Sequence, residues 1–177
     1  GSLCAATCQG EPLASGVWLD WILKQAEDAT RPYQQHLHTA HIAASGHSEG
    51  GFTSCKMASE PRFSAISTVA GSQMNPGFHQ PVLLICGGMD GTSCTTVENN
   101  FKTITNYPAM VMNSKSTNHL NWSTQGPTGP TILGFVTWFR VHLMNDTANR
   151  KYFYGPTCTF CSDSRVAVQR NSLMMTP

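Results

Sequence analysis

A strand-like apolar run at residues 40 to 45 leads directly into Gly46-His47-Ser48-Glu49-Gly50, and a helix-like segment follows. A serine at a sharp turn between a strand and a helix is held in a strained backbone conformation that small neighbours permit. We therefore expect Gly46 and Gly50 to be required for the turn and the Ser48 side chain to project from it. Because pentapeptides of this form also arise by chance, the interpretation depends on what the rest of the chain supplies.

Length and composition favour one domain. The chain has 177 residues, of which 40% are hydrophobic and 12% charged, and a formal net charge of +1. We assign residues 1 to 177 to a single domain, with an irregular N-terminal segment at 1 to 14 and a C-terminal extension at 150 to 177. The low charge predicts no nucleic-acid binding, and no apolar run reaches the length of a membrane span. The oligomeric state is left open.

The seven cysteines favour an oxidising compartment, so the sequence predicts a secreted or periplasmic protein. Cys4 with Cys8 and Cys158 with Cys161 are candidate local disulfides. A zinc knuckle at the second pair is disfavoured because no other Cys or His pair stands at zinc spacing, and no metal or other cofactor is predicted. Cys86 lies within an apolar strand and is interpreted as a small buried hydrophobic residue.

Helical and extended patterns alternate along the chain, which is typical of an α/β fold built on a parallel sheet. Besides the run before Ser48, strands are predicted at 63 to 69, 81 to 86 and 107 to 112. Helices are predicted from residue 15 to the Arg31-Pro32 stop and at 52 to 59, 94 to 106 and 130 to 144. The side chains expected to face the core are Val17, Trp18, Trp21, Ile22 and Ala26 in the first helix and Leu133, Val136, Phe139 and Leu143 in the last.

Ser48, Asp90 and His119 each follow a predicted strand, and the carboxyl ends of parallel strands meet at one edge of a sheet. Alone, each has an ordinary explanation as a turn residue, a helix cap or a solvated histidine. Together they suit acyl transfer: His119 would take the Ser48 proton during attack, and Asp90 would hold the imidazole. The backbone N–H of Glu49 is the expected oxyanion donor. The order Ser, Asp, His along the chain is that of α/β-hydrolases.

Several segments resemble the bacterial cutinase-like polyester hydrolases, relatives of the dienelactone hydrolases and the platelet-activating-factor acetylhydrolases. They are residues 44 to 51, the Asp90 turn, Asn118-His119 and, most specifically, Phe135-Val136-Thr137-Trp138-Phe139-Arg140 with Asn145-Asp146-Thr147. The likeness covers roughly residues 15 to 161. It implies a serine esterase, lipase-like, that acts without a metal on short to medium acyl esters or polyesters. The triad of the family falls on Ser48, Asp90 and His119.

The chain also departs from that family. Only 47 residues precede Ser48, so the resemblance implies an abbreviated α/β-hydrolase fold that lacks several N-terminal strands. Glu49 stands where the family usually has an apolar residue. Met74, Phe78 and Trp122 are candidate substrate contacts, with ordinary loop packing as the alternative. The alternative functions are an acyltransferase or peptidase with the same triad, and a non-catalytic hydrolase-like binding protein.

Overall fold

Five strands in a computed structural model, which describes residues 13–34, 36–72, 77–124 and 129–176, form one sheet in the order β1-β2-β3-β4-β5. They are β1 (Ile42–His47), β2 (Phe63–Val69), β3 (Val82–Gly87), β4 (Ala109–Ser114) and β5 (Val166–Arg170). The first four are parallel, and β5 runs antiparallel to β4. The helices are α1 (Leu13–Glu27), α2 (Glu49–Met57), α3 (Thr92–Phe101), α4 (Asn121–Thr124) and α5 (Pro130–Leu143). This mostly parallel sheet with flanking helices confirms the predicted α/β class.

The sheet is buried on both faces, as the continuous apolar run of β3 predicts. All six residues of β3 are buried, and successive side chains point to opposite faces. Leu84 belongs to a core cluster with residues of α1, α2 and α3. Ile85 belongs to a second cluster with Trp138 of α5 and Phe153 of the C-terminal segment. Helices therefore cover both sides and leave the carboxyl edge of the parallel strands open for loops.

The apolar face predicted for α1 is wrong. Leu19 of this helix is buried, with 2% of its surface exposed, and Leu23 packs against a core cluster that includes Leu19. The side chains predicted to cover the sheet are exposed by 41 to 66%: Val17, Trp18, Trp21 and Ile22. This helix carries apolar residues on two stripes, and periodicity alone does not decide which stripe meets the sheet. No helix of the described ranges is long and apolar enough to cross a bilayer.

The face predicted for α5 is also partly wrong. Leu133 and Val136 are 43% and 48% exposed, whereas Trp138, which was not among the predicted core residues, is fully buried. The buried side also carries the small residues Gly134 and Thr137. A β-carbon at Gly134 would lie 2.7 Å from the sulfur of Met112 on β4, so a small residue is what brings the helix close to the sheet.

The C-terminal segment contributes more than the extension predicted for it. Its strand β5 pairs with β4 and is the edge strand on that side of the sheet. Arg170, at the end of β5, donates to the main-chain carbonyls of Phe153 and Gly155 at 2.9 and 2.7 Å. The strand has five residues, and only Val166 of them is buried. A short edge strand of this kind leaves little periodic signal in a sequence, which explains why it was not predicted.

A half-buried histidine packs beneath the C-terminal segment. The His142 ring lies 4.3 Å from the Trp138 ring, and its Nε2 is 3.2 Å from the Tyr154 hydroxyl. Burial, followed by the nearby Arg150 guanidinium, lowers the pKa of His142 to about 4, and burial raises the pKa of Tyr154 to about 12. The tyrosine therefore keeps its proton and donates it to a neutral imidazole.

This cluster predicts a loss of stability in mild acid. Unfolded histidine takes up its proton near pH 6.5, whereas folded His142 stays neutral until about pH 4. In that window the unfolded state binds more protons, so the free energy of unfolding should fall by about 2 to 3 kcal/mol between pH 7.5 and pH 4.5. Urea denaturation at both values would measure it. In His142→Gln, the free energy of unfolding should fall by about 2 to 3 kcal/mol less between the two pH values than in the wild type. An equal fall in wild type and variant would contradict the prediction.

Candidate active site

Three polar side chains meet at the carboxyl edge of the sheet. Ser48 directly follows β1, Asp90 lies in the turn after β3, and His119 lies in the loop after β4. Strand β2 separates β1 from β3, and Ala70 at its end lines the space between these side chains. The parallel arrangement therefore brings together residues that are 29 and 71 positions apart in the chain.

The three side chains form an unbroken hydrogen-bond chain. The His119 Nε2 atom is 2.8 Å from the Ser48 hydroxyl, and its Nδ1 atom is 2.9 Å from a carboxylate oxygen of Asp90. The Asp90 side chain is 9% exposed and that of His119 36%. A carboxylate only accepts, so Nδ1 carries the proton and Nε2 is left to accept from the serine. This arrangement can move a proton from a hydroxyl to an imidazole.

The Ser48 backbone is strained in the way that the sequence predicts. Its φ of 55° and ψ of −118° are rarely adopted by a residue with a side chain, and such conformations cost about 1 to 3 kcal/mol. Surrounding bonds hold it: the Ser48 N–H donates to the Val69 carbonyl at 2.9 Å. Its own carbonyl accepts from the N–H groups of Gly51 and Phe52 at the start of α2.

The two glycines of the motif differ in what the turn requires of them. A β-carbon at Gly46 would lie 2.2 Å from the carbonyl carbon and oxygen of Gly50, a contact that the backbone cannot accommodate. A β-carbon at Gly50 would meet nothing within 4 Å, so the prediction that Gly50 is required is wrong. The sequence did not single out Gly71, where a β-carbon would lie 2.0 Å from the Ser48 carbonyl oxygen. The turn is therefore pressed against the end of β2.

A disulfide encloses the Asp90 turn. Cys86 at the end of β3 is bonded to Cys94 on α3, so the interpretation of Cys86 as a simple buried hydrophobic residue is wrong. Asp90 lies midway between the two cysteines, which are eight positions apart. The predicted disulfide between Cys158 and Cys161 is confirmed. The predicted pair of Cys4 and Cys8 lies outside the described residues.

The loop that carries His119 is held by its neighbours. The His47 Nε2 atom is 3.1 Å from the main-chain oxygen of His119, and the two rings lie 5.0 Å apart. The Asn118 side chain accepts from the N–H of Asn121, which begins α4, and the Asn121 side chain accepts from the N–H of Asn118. His47 is the variable position before the serine in the motif, and nothing in the sequence alone pointed to this contact.

Two of the predicted substrate contacts, Phe78 and Trp122, are not among the described residues that line the space in front of Ser48. A cavity of about 390 Å³ opens in front of Ser48, and its described lining includes neither Phe78 nor Trp122. Phe78 is buried in the core beside α1 to α3, and Trp122 lines a separate cavity of about 190 Å³ behind β1. Met74 lies outside the described residues. The structure places Glu49 as the first residue of α2, with an exposed side chain and its N–H next to Ser48.

Sequence reasoning did not identify the other described residues that line the cavity in front of Ser48. They are Phe52, Ala70, Ser72, Thr92, Ser93 and Thr96. The available signal was position: each lies shortly after Ser48, after strand β2 or after Asp90, at the same edge of the sheet. Within the described ranges, no group of three or more His, Cys, Asp or Glu side chains is placed to hold a metal ion.

No protein-family model matches the chain, and no curated protein matches its sequence.

Proposed function

We propose that this protein is a serine carboxylic-ester hydrolase of the α/β-hydrolase superfamily, an abbreviated form that resembles the cutinase-like polyester hydrolases. The observation that carries the proposal is the hydrogen-bond chain from Ser48 through His119 to Asp90, with distances of 2.8 and 2.9 Å. The strained backbone of Ser48 supports it, because such strain concentrates at functional sites. The catalytic residues are Ser48, His119 and Asp90.

The proposed reaction follows from these contacts. The Ser48 oxygen attacks the acyl carbon of the ester while His119 Nε2 takes the hydroxyl proton, and Asp90 stabilises the imidazolium that forms. The N–H of Glu49 donates to the oxyanion, supported by the N-terminal end of α2. The imidazolium then protonates the departing alcohol, which leaves an acyl group on Ser48. Water activated by His119 releases the acid and restores the serine.

The alternatives predict different behaviour. An acyltransferase would use the same first half-reaction, and an added alcohol would then compete with water for the acyl group. A binding protein without catalysis would gain nothing from a serine held at a φ of 55° and hydrogen-bonded to a histidine. The proposed location is secreted or periplasmic, which two disulfides support because such bonds persist in oxidising compartments.

Covalent labelling tests the proposal without knowledge of the natural ester. Diisopropyl fluorophosphate transfers its phosphoryl group to an activated serine and releases fluoride. Intact-mass analysis and peptide mapping should find one adduct, on Ser48. His119→Ala should not be labelled, because the hydroxyl then has no base. Native wild-type protein that takes up no label, or takes it up at another residue, would contradict the proposal.

The disulfide that encloses the Asp90 turn should affect both stability and rate. It closes a loop of eight residues, so the double variant Cys86→Ala/Cys94→Ala should lose about 2.5 kcal/mol of unfolding free energy. Its kcat on p-nitrophenyl butyrate should fall about tenfold, since Asp90 is then held less firmly toward His119. Chemical denaturation and steady-state kinetics measure the two effects.

The second disulfide provides the matched control. Cys158→Ala/Cys161→Ala removes a bond in the C-terminal segment, where Cys158 belongs to the other core cluster from Cys86 and Cys94. This variant should lose stability while its kcat stays within about twofold of wild type. Equal losses of kcat in the two double variants would show that the Cys86–Cys94 bond has no particular effect on Asp90.

A further inference from the structure

One wall of the cavity in front of Ser48 is a row of hydroxyl groups. Thr92, Ser93 and Thr96 of α3 line the cavity, which has a volume of about 390 Å³. Their spacing along the helix places them on one side of it. Phe52 and Ala70 supply the apolar part of the lining. The space open to a substrate is therefore bordered by hydrogen-bonding side chains near Asp90 and by apolar ones elsewhere.

The Thr96 hydroxyl has a defined direction. Its Oγ1 donates to the main-chain carbonyl of Thr92 at 3.0 Å. A hydroxyl has one proton to donate and two lone pairs that accept, so the Thr96 oxygen, whose proton is already donated, can act toward a ligand only as an acceptor. Its side chain is exposed, and the lone pairs are accessible to a ligand. The complementary group on a substrate is a hydrogen-bond donor.

The charged residues around the cavity restrict which kind of hydrogen-bond donor a substrate can bring to Thr96. Among the described residues that line it there is no lysine or arginine, so an anionic ligand would meet no cation there. Asp90 is 9% exposed and one of its carboxylate oxygens is bonded to His119, so an ammonium group there would compete with the contact that the proposed mechanism needs. An uncharged donor remains. Hydroxyl and amide N–H groups are the uncharged donors that an ester can carry, and the hydroxyl is the smaller of the two.

We propose that the Ser48 cavity selects esters that bear a hydroxyl group away from the scissile bond, with Thr96 as the residue that determines this specificity. The inference rests on the proposed esterase function and names its substrate class. It differs from what the resemblance implies, because Phe78 and Trp122 do not belong to the described lining. The hydroxyl could sit in the alcohol or in the acyl part of the ester.

Two pairs of esters test the proposal and distinguish the two parts. Glyceryl monobutyrate and propyl butyrate differ by hydroxyls in the alcohol, and p-nitrophenyl 3-hydroxybutyrate and p-nitrophenyl butyrate differ by a hydroxyl in the acyl chain. In at least one pair, kcat/KM should be about threefold to tenfold higher for the hydroxylated ester. This ratio corresponds to the free energy of one neutral hydrogen bond. Thr96→Val should bring that ratio to about 1, and Thr96→Ser should retain it.

Thr95→Val is the matched control, because Thr95 is an exposed neighbour on α3 that is not among the described lining residues. This variant should keep the wild-type ratio. Ratios near 1 in both pairs for the wild type, or equal ratios in Thr96→Val and Thr95→Val, would overturn the inference alone. If none of the four esters is hydrolysed and Ser48 takes up no organophosphate, the esterase function is wrong, and this inference is wrong with it.

Discussion

Ser48→Ala is expected to lower kcat/KM on p-nitrophenyl butyrate by about 10⁴-fold or more, because the variant retains the fold but has no nucleophile. Asp90→Asn should cause a loss of about 10⁴-fold. Its side chain can still contact His119 Nδ1, but an amide that donates to Nδ1 leaves the proton on Nε2, where it cannot accept from the serine. The two losses should not multiply in a double variant, since the residues act as a unit.

Steady-state kinetics of the purified variants measure these losses, and circular dichroism with urea denaturation verifies that each variant is folded. Ser59→Ala is a suitable control, because Ser59 is an exposed residue just beyond α2 whose hydroxyl donates to the Lys56 carbonyl. It should leave kcat/KM unchanged. Turnover by Ser48→Ala within tenfold of wild type would mean that another group performs the chemistry, and the proposed mechanism would have to be abandoned.

Gly46→Ala is expected to have a large structural effect at the Ser48 turn. The new methyl group would lie 2.2 Å from the Gly50 carbonyl, so the end of β1 and the start of α2 must separate. We expect a loss of about 3 kcal/mol or more in unfolding free energy, at the upper end of the range for overpacking. In the protein that still folds, displacement of Ser48 should lower kcat by at least about 100-fold.

Gly50→Ala provides a sharp contrast, because both glycines belong to the same motif. A β-carbon at Gly50 meets nothing within 4 Å, and the residue lies within α2. Alanine there should preserve turnover and stabilise the helix by about 0.5 to 1 kcal/mol. Comparable losses in the two variants would show that the motif requires glycine for backbone conformation at both positions rather than for close approach at one.

Much of the fold could be predicted from local patterns. The strand predicted at 63 to 69 is β2 at Phe63–Val69, and the helix predicted at 130 to 144 is α5 at Pro130–Leu143. The predictions that failed concern partners distant in space. The surfaces of the sheet decide which stripe of α1 is buried. They also decide that Trp138 rather than Leu133 faces the core.

Local patterns already predict that strands and helices alternate and that Ser48, Asp90 and His119 each follow a strand, because such patterns depend only on neighbours along the chain. Their meeting at one edge follows from parallel pairing. Contacts between distant elements, in contrast, set the Cys86–Cys94 bond, the need for Gly46 but not Gly50 in the turn, and the residues of α3 that line the cavity in front of Ser48. These features depend on distances between elements, which packing sets and no local pattern records.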